Sequence, residues 1–238
     1  MPPVDLPLTA EGIWWRYRRG PWVLRDLSFT VAPGDLLRVR GGNGSGKSTL
    51  LALLAGVVRP SRGSTRTPGR TAYLPQLARN LPPVPADRVR ALIGGRDGPD
   101  DESLAEHLGT RADQLSAGTA RRVLLDAVLS LPAPVVVLDE PSAGLDDAAV
   151  GRLTRALAGR LADGGIVVVA EHRPLPLPGG TVLDLGGRSA APAGALVRIT
   201  LAGDGETRVV TVPPADRDAL LRDALDRGWS VLAVEPAP

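Results

Sequence analysis

The 238-residue chain contains no cysteine. This excludes disulfides, thiolate metal sites and iron–sulfur ligation by its own side chains, and fits a reducing, cytoplasmic setting. No apolar run approaches the roughly 18 residues that a membrane-spanning helix needs. The opening Met1-Pro2-Pro3-Val4-Asp5 lacks the basic-then-apolar layout of a signal peptide. Any membrane association is therefore expected to come through a partner. No run of like charge is long enough to suggest nucleic-acid binding. The net charge is only +2, so the sequence pI of ≈ 9.6 reflects arginine used in place of lysine as much as any basic patch. Internal repeats are absent. Hydrophobic residues make up 43%, enough for a packed core, and the length suggests one α/β domain, alone or with a small appendage.

Lysine is nearly absent too: among 28 Lys+Arg residues, Lys47 is the only lysine. It sits in Gly41-Gly42-Asn43-Gly44-Ser45-Gly46-Lys47-Ser48-Thr49, a phosphate-binding loop of the form G-x-x-x-x-G-K-[ST]. A compact ammonium on a flexible stem reaches between β- and γ-phosphates where a planar guanidinium fork does not fit. The loop follows an apolar strand (Leu36–Arg40) and opens a buried helix ending at Gly56. Backbone N–H groups of the loop and the helix N-terminus would therefore face the phosphates together. Lys47 is expected to pair with the β/γ-phosphates, and the Ser48 hydroxyl to ligate Mg²⁺. The loop implies a nucleoside triphosphate and Mg²⁺ as cofactors.

A second signal is Val135-Val136-Val137-Leu138-Asp139-Glu140-Pro141. An apolar run consistent with a central parallel strand delivers two carboxylates to its carboxyl end, where α/β sheets place ligands. Beside the loop these read as a catalytic pair, Asp139 holding Mg²⁺ directly or through water and Glu140 polarising the attacking water. A third signal, Leu115-Ser116-Ala117-Gly118-Thr119, opens an amphipathic helix over 120–131, with Val123, Leu124, Ala127, Val128 and Leu131 on one face. Ser116 reads as an ordinary N-cap. It also reads as a second anion-binding helix end, with Gly118 admitting a phosphate close to the backbone. Two such ends on one chain invite a two-fold dimer in which each protomer completes the other's site.

Along the chain, strands are expected over 22–24, 27–31, 36–40, 71–74, 135–138, 166–170 and 181–185, and a short hairpin over 60–72. Helices are expected over 48–56, 120–131 and 147–162. Residues 77–114 are punctuated by Pro and Gly and carry only weak helical segments. After a linker near 189–194, a small ββαβ unit is expected: strands over 195–201 and 206–212, a helix over 214–227 and a strand over 229–234. It is too small to be trusted to fold alone.

In this order and form, the motifs over residues 8–188 resemble the nucleotide-binding subunit of ATP-binding cassette (ABC) proteins. Asn43-Gly44-Ser45-Gly46-Lys47-Ser48-Thr49-Leu50 looks like that family's loop, and Leu115–Thr119 like its signature. The resemblance implies a P-loop NTPase of ABC type. Its parts would be a mixed or parallel core sheet with helices, an N-terminal antiparallel β subdomain, a reduced helical subdomain (about 77–131) and a small C-terminal extension (189–238). Tyr17, with rivals in Trp14 and Trp15, would stack on adenine. Gln76 would sense Mg²⁺ and the γ-phosphate. Ser116 and Gly118 would contact the γ-phosphate held by the opposite protomer, and Asp146, in Ser142-Ala143-Gly144-Leu145-Asp146, would bridge the two sites. His172, after Glu171, would act as the switch histidine and orient water with Glu140. Ala117 and Thr119 stand where the family usually has Gly and Gln. The stretch between Gln76 and Leu115 is short and carries Leu81-Pro82-Pro83-Val84-Pro85, which breaks helices.

The resemblance implies an ATPase peripheral at the inner face of the cell membrane. It would pair with a second ABC subunit, as homodimer or heterodimer, and drive a separate transmembrane permease. The alternatives are a soluble ABC ATPase without a membrane partner and a non-hydrolytic nucleotide sensor. The presence of both Glu140 and His172 argues against the sensor.

Overall fold

The computed structural model describes residues 6–76, 81–95, 102–171, 174–186, 197–203, 206–212, 220, 224 and 229–236. The chain forms two compact units, Met1–Ser189 and Ala190–Pro238.

The first unit begins with β1 (Leu8–Arg16), β2 (Trp22–Val31) and β3 (Leu36–Arg40), then α1 (Lys47–Leu54) and β4 (Arg62–Arg66). Strands β2, β1 and β4 form an antiparallel sheet in that order. The two short runs expected over 22–31 are one strand. Asp26, at φ 45, marks an irregularity within it, and the register against β1 shifts nearby. The hairpin expected over 60–72 does not form. β4 pairs with β1, and β5 (Thr71–Leu74) joins a different sheet. Gly63 makes the first pairing possible: a Cβ there would lie 2.2 Å from the Gly12 carbonyl oxygen, so only glycine admits so close a backbone approach.

The remaining elements are α2 (Val89–Ile93), α3 (Ala117–Leu129), β6 (Val135–Asp139), α4 (Asp147–Ala162), β7 (Ile166–Ala170) and β8 (Thr181–Asp184). Strands β5-β6-β7-β3-β8 make a parallel sheet. Both faces of it are covered, which is why β6 and β7 are continuous apolar runs, buried at every position. Their side chains alternate between two cores. Val135, Val137, Ile166, Val168 and Ala170 pack with α1 and the antiparallel sheet. Val136, Leu138, Val167 and Val169 pack with α3 and α4. The alternation decides where the site falls, because the next residue in phase with Val135 and Val137 is Asp139, on the side of α1.

Helix α3 starts three residues before the expected 120, because Ser116 caps it by accepting from the Thr119 N–H at 3.1 Å. Its apolar stripe is wider than the single face read from the sequence. Val123 and Ala127 enter a small core with Ala86, Val89, Leu104 and Ala112. Leu125, Val128 and Leu129 face the sheet, while Leu124 and Leu131 are only partly buried. This small core joins α2, three 3₁₀ turns and α3 among the described residues, with α2 tied to α3 by the Arg90–Asp126 ion pair.

Arginine replaces lysine structurally as well. Arg38 donates to the carbonyls of Leu175 and Leu177 at 3.3 and 2.6 Å. Arg160 does so to those of Ala133, Leu129 and Leu131 at 2.8, 2.5 and 2.6 Å. One rigid fork reaches several backbone acceptors at once.

The second unit is an antiparallel sheet of β9 (Val197–Gly203), β10 (Glu206–Val212) and β11 (Ser230–Pro236), ordered β10-β9-β11. Leu220 and Ala224 are helical; the rest of the expected 214–227 helix lies outside the described residues.

Candidate active site

The site is built at the carboxyl ends of the parallel strands. Beyond β3 the chain turns through Gly41, Gly44 and Gly46 at φ 149, 77 and 96, then enters α1 at Lys47. A Cβ at Gly41 would sit 2.4 Å from Ser45 Oγ, and one at Gly46 would sit 2.8 Å from Leu24 Cδ2. These glycines are required by both conformation and space. The Lys47 ammonium folds back and donates to the carbonyls of Gly41 and Gly42 at 2.7 and 3.1 Å, bracing the loop.

At the end of β6, Asp139 is 1% exposed. Burial pushes its carboxyl pKa up and neighbouring Glu140 adds to this, while the Ser48 hydroxyl bond and the charges of Lys47 and Arg121 pull it down. Its Oδ2 is buried with no hydrogen-bond partner, an orphan acceptor of the kind that calls for a ligand. Tyr73 lies near enough that burial, then the Asp139 charge, raises its phenol to about 12; it stays neutral. Among the described residues no three His, Asp or Glu side chains cluster as a metal cage. A divalent ion would instead be held by Asp139 and Ser48 with substrate phosphates, the coordination magnesium commonly takes. Glu140 leaves the strand at φ 49, a conformation that costs a non-glycine residue about 1–3 kcal/mol. Its N–H donates to the Ala170 carbonyl at 2.8 Å.

An open cleft of ≈ 440 Å³ gathers Tyr17, Asn43, Lys47, Ser48, Gln76 and Glu140, with Gly44, Gly46 and Thr49 also lining it. Gly41, Gly42 and Ser45 belong to the same loop without lining that cleft. Of the three aromatic candidates, Trp15 is core, at 9% exposure, and Trp14 is engaged edge-on with Trp22 and lies under Arg62. Tyr17 is 65% exposed at the cleft, its ring set edge-on against Trp15 at 4.2 Å.

Ser116, Gly118 and Asp146 do not line the cleft. Ser116 caps α3, and Asp146 caps α4 by accepting from the Ala149 N–H at 2.7 Å. A Cβ at Gly118 would meet nothing within 4 Å, so nothing in this chain's own packing asks for glycine there. His172 lies outside the described residues.

Two residues were missed by sequence reasoning. Arg121 spans the site from α3 with a fork that no local pattern signals. Glu171 accepts from the Leu175 N–H at 2.8 Å and from the Ser142 hydroxyl. Its Oε1 is buried without a partner, and burial raises its pKa from 4.5 to about 7. Below pH 4.5 the carboxyl is protonated in both folded and unfolded states. As pH rises from 4.5 through 7, the unfolded chain ionises first and native stability falls. Glu171→Gln should remove that loss, so the urea midpoint of the wild type should drop relative to the variant between about pH 4.5 and 7. Parallel pH profiles for the two proteins would contradict the assignment.

The family model described as ABC transporter matches residues 24–143. The chain is similar to the cytochrome c biogenesis ATP-binding export protein CcmA of Sphingopyxis alaskensis, 37% identical over 165 residues, covering 66% of this chain and 85% of that protein. It is similar to the protein of the same name from Methylococcus capsulatus, 35% identical over 200 residues, 74% of this chain and 95% of that one. A bacterial ABC transporter cassette solved as a dimer shares the fold, with TM-score 0.64 and 20% identity over 75% of this chain and 95% of that one. The family match over half of the chain and the likeness to these relatives show that the chain belongs to the ABC transporter family, as one of its ATP-binding, ATP-hydrolysing subunits.

Proposed function

We propose that this subunit hydrolyses ATP in a head-to-tail dimer at the cytoplasmic face of a membrane and so powers a separate membrane-spanning export subunit. The observation that carries the reading is the cleft itself: Tyr17, Lys47, Ser48, Gln76 and Glu140 converge over buried Asp139. Tyr17 offers a ring face for adenine. Lys47 exchanges its two loop carbonyls for β- and γ-phosphate oxygens. Ser48 and Asp139, with Gln76 at the edge, would hold Mg²⁺, which would neutralise charge on the phosphates. Glu140 accepts a proton from the attacking water. Among residues of this chain, His172 is assigned beside the γ-phosphate by the family resemblance alone.

The dimer follows from what the cleft leaves out. Ser116 and Gly118 stand at the exposed start of α3, where a glycine that this chain's packing does not need lets an anion reach the helix N-terminus. Asp146 starts α4. The missing half of each site is then supplied by the Ser116 end of a second cassette, either another copy or a related chain. The export direction and the membrane partner are supported by the names of the similar proteins and of the matching family; no helix among the described residues is long and apolar enough to cross a membrane.

Purification of tagged Glu140→Gln protein with Mg-ATP from detergent-solubilised native membranes tests the reading. A stoichiometric multi-span protein should co-elute. A cassette dimer free of any membrane protein would sink the transport part of the proposal.

A further inference from the structure

Arg121 lies in the second turn of α3, five residues after Ser116. Its Nη1 donates to the Gln76 carbonyl at 2.6 Å, and its Nη2 donates to the carbonyls of Asp139 and Glu140 at 2.8 and 2.6 Å. One side chain thus ties the signature helix to the two segments that carry the other catalytic candidates. The Glu140 carbonyl also accepts from the Ala143 N–H at 3.1 Å, and the Glu140 N–H is held by Ala170. The left-handed backbone at Glu140 is strained, and such a conformation persists only where its surroundings over-determine it. Of these contacts, the one from Arg121 comes from α3.

We infer that Arg121 is a positioning residue for hydrolysis: it fixes the backbone of Glu140 and Gln76 to α3, so that the carboxylate and the glutamine move with the Ser116 end of the helix. This rests on the reading of Glu140 as the group that activates water. Arginine suits the task because three acceptors converge on one planar fork, a geometry a lysine ammonium on its flexible stem does not reproduce. Helix α3 is a rigid rod. Occupancy of Ser116 and Gly118 by a phosphate across the dimer is therefore passed by Arg121 to this chain's own catalytic carboxylate, and the two sites are mechanically coupled.

The test compares wild type, Arg121→Ala, Arg121→Lys and Glu140→Gln in steady-state Mg-ATP hydrolysis, with melting temperature and ATP affinity measured on each. A misplacement of about 1 Å costs on the order of 10²-fold in rate, so Arg121→Ala should lower kcat about 10- to 100-fold. KM should stay within about threefold, since the cleft residues that bind nucleotide are untouched. Arg121→Lys, able to keep one or two of the three bonds, should fall between, and serves alone should the alanine variant not fold. Millimolar guanidinium should restore part of kcat to Arg121→Ala. A kcat within twofold of wild type in the alanine variant, or in the lysine variant if only that one folds, would overturn the inference. So would losses that track the melting temperature without a split between kcat and KM. If Glu140→Gln itself hydrolyses ATP at the wild-type rate, the failure belongs to the assignment of Glu140.

Discussion

Glu140→Gln is expected to lower kcat for ATP hydrolysis by about 10²–10⁴-fold, the range for loss of a positioned general base, and to trap an ATP-bound dimer. The amide has the shape of the carboxylate, and the backbone contacts that hold residue 140 at φ 49 do not involve the side chain. Local geometry should therefore survive, and the change is chemical: a neutral amide does not take a proton from water. Removing the charge also lifts repulsion from the triphosphate and ends the upward push of Glu140 on the Asp139 carboxyl, which keeps Asp139 available as an anion for Mg²⁺. ATP binding should thus persist while turnover stops. Phosphate release and size-exclusion chromatography with Mg-ATP read the two effects separately. A variant that hydrolyses within about threefold of wild type would refute the role of Glu140, and one that stays monomeric with saturating Mg-ATP would refute the sandwich.

Lys47→Ala should act on binding instead. Lys47 is 8% exposed, and its ammonium braces the loop through the Gly41 and Gly42 carbonyls. With a nucleotide bound, the ammonium would turn its donors to phosphate oxygens. Hydrogen bonds to charged groups contribute about 1.5–3 kcal/mol each, so losing even one or two of them weakens ATP binding roughly 10- to 100-fold or more. No other lysine in the chain can substitute. Tyr17→Ala should weaken ATP by a smaller margin, because base stacking is worth about 1–3 kcal/mol and the phosphate contacts remain. Fluorescence titration with ATP on both variants orders the effects. Equal affinity of Lys47→Ala and wild type would mean that the loop amides alone hold the triphosphate. An unchanged Tyr17→Ala would leave adenine without the proposed platform, since Trp15 is core and Trp14 is occupied by Trp22 and Arg62.

The motifs that point to this protein's family lie in contiguous stretches of its chain, which is why sequence alone determined the family and the fold class. A phosphate loop works through backbone N–H groups of successive residues and one adjacent lysine, so Gly41–Thr49 is legible as a string. The same holds for Asp139-Glu140 at the end of a run with no polar residue, and for Ser116 ahead of α3. The ABC-type fold follows from those strings, because apolar runs such as β6 and β7 are stable only where both faces of a parallel sheet are covered.

What sequence could not determine was settled by contacts between distant segments. Period-2 alternation places Asp139 on the α1 side only once β6 has neighbours, and its burial beside Ser48 and Lys47 exists only in the folded chain. Whether Tyr17, Trp14 or Trp15 faces the cleft depends on which ring the antiparallel sheet takes into its core. β4 leaves its expected hairpin because Gly63 lets it approach β1 at backbone distance. Arg121 and Glu171 carry no local signature at all: a guanidinium anywhere on an amphipathic helix looks alike in sequence. Only the tertiary structure brings the carbonyls of residues 76, 139 and 140 to one fork, or buries a carboxylate deeply enough to raise its pKa to about 7.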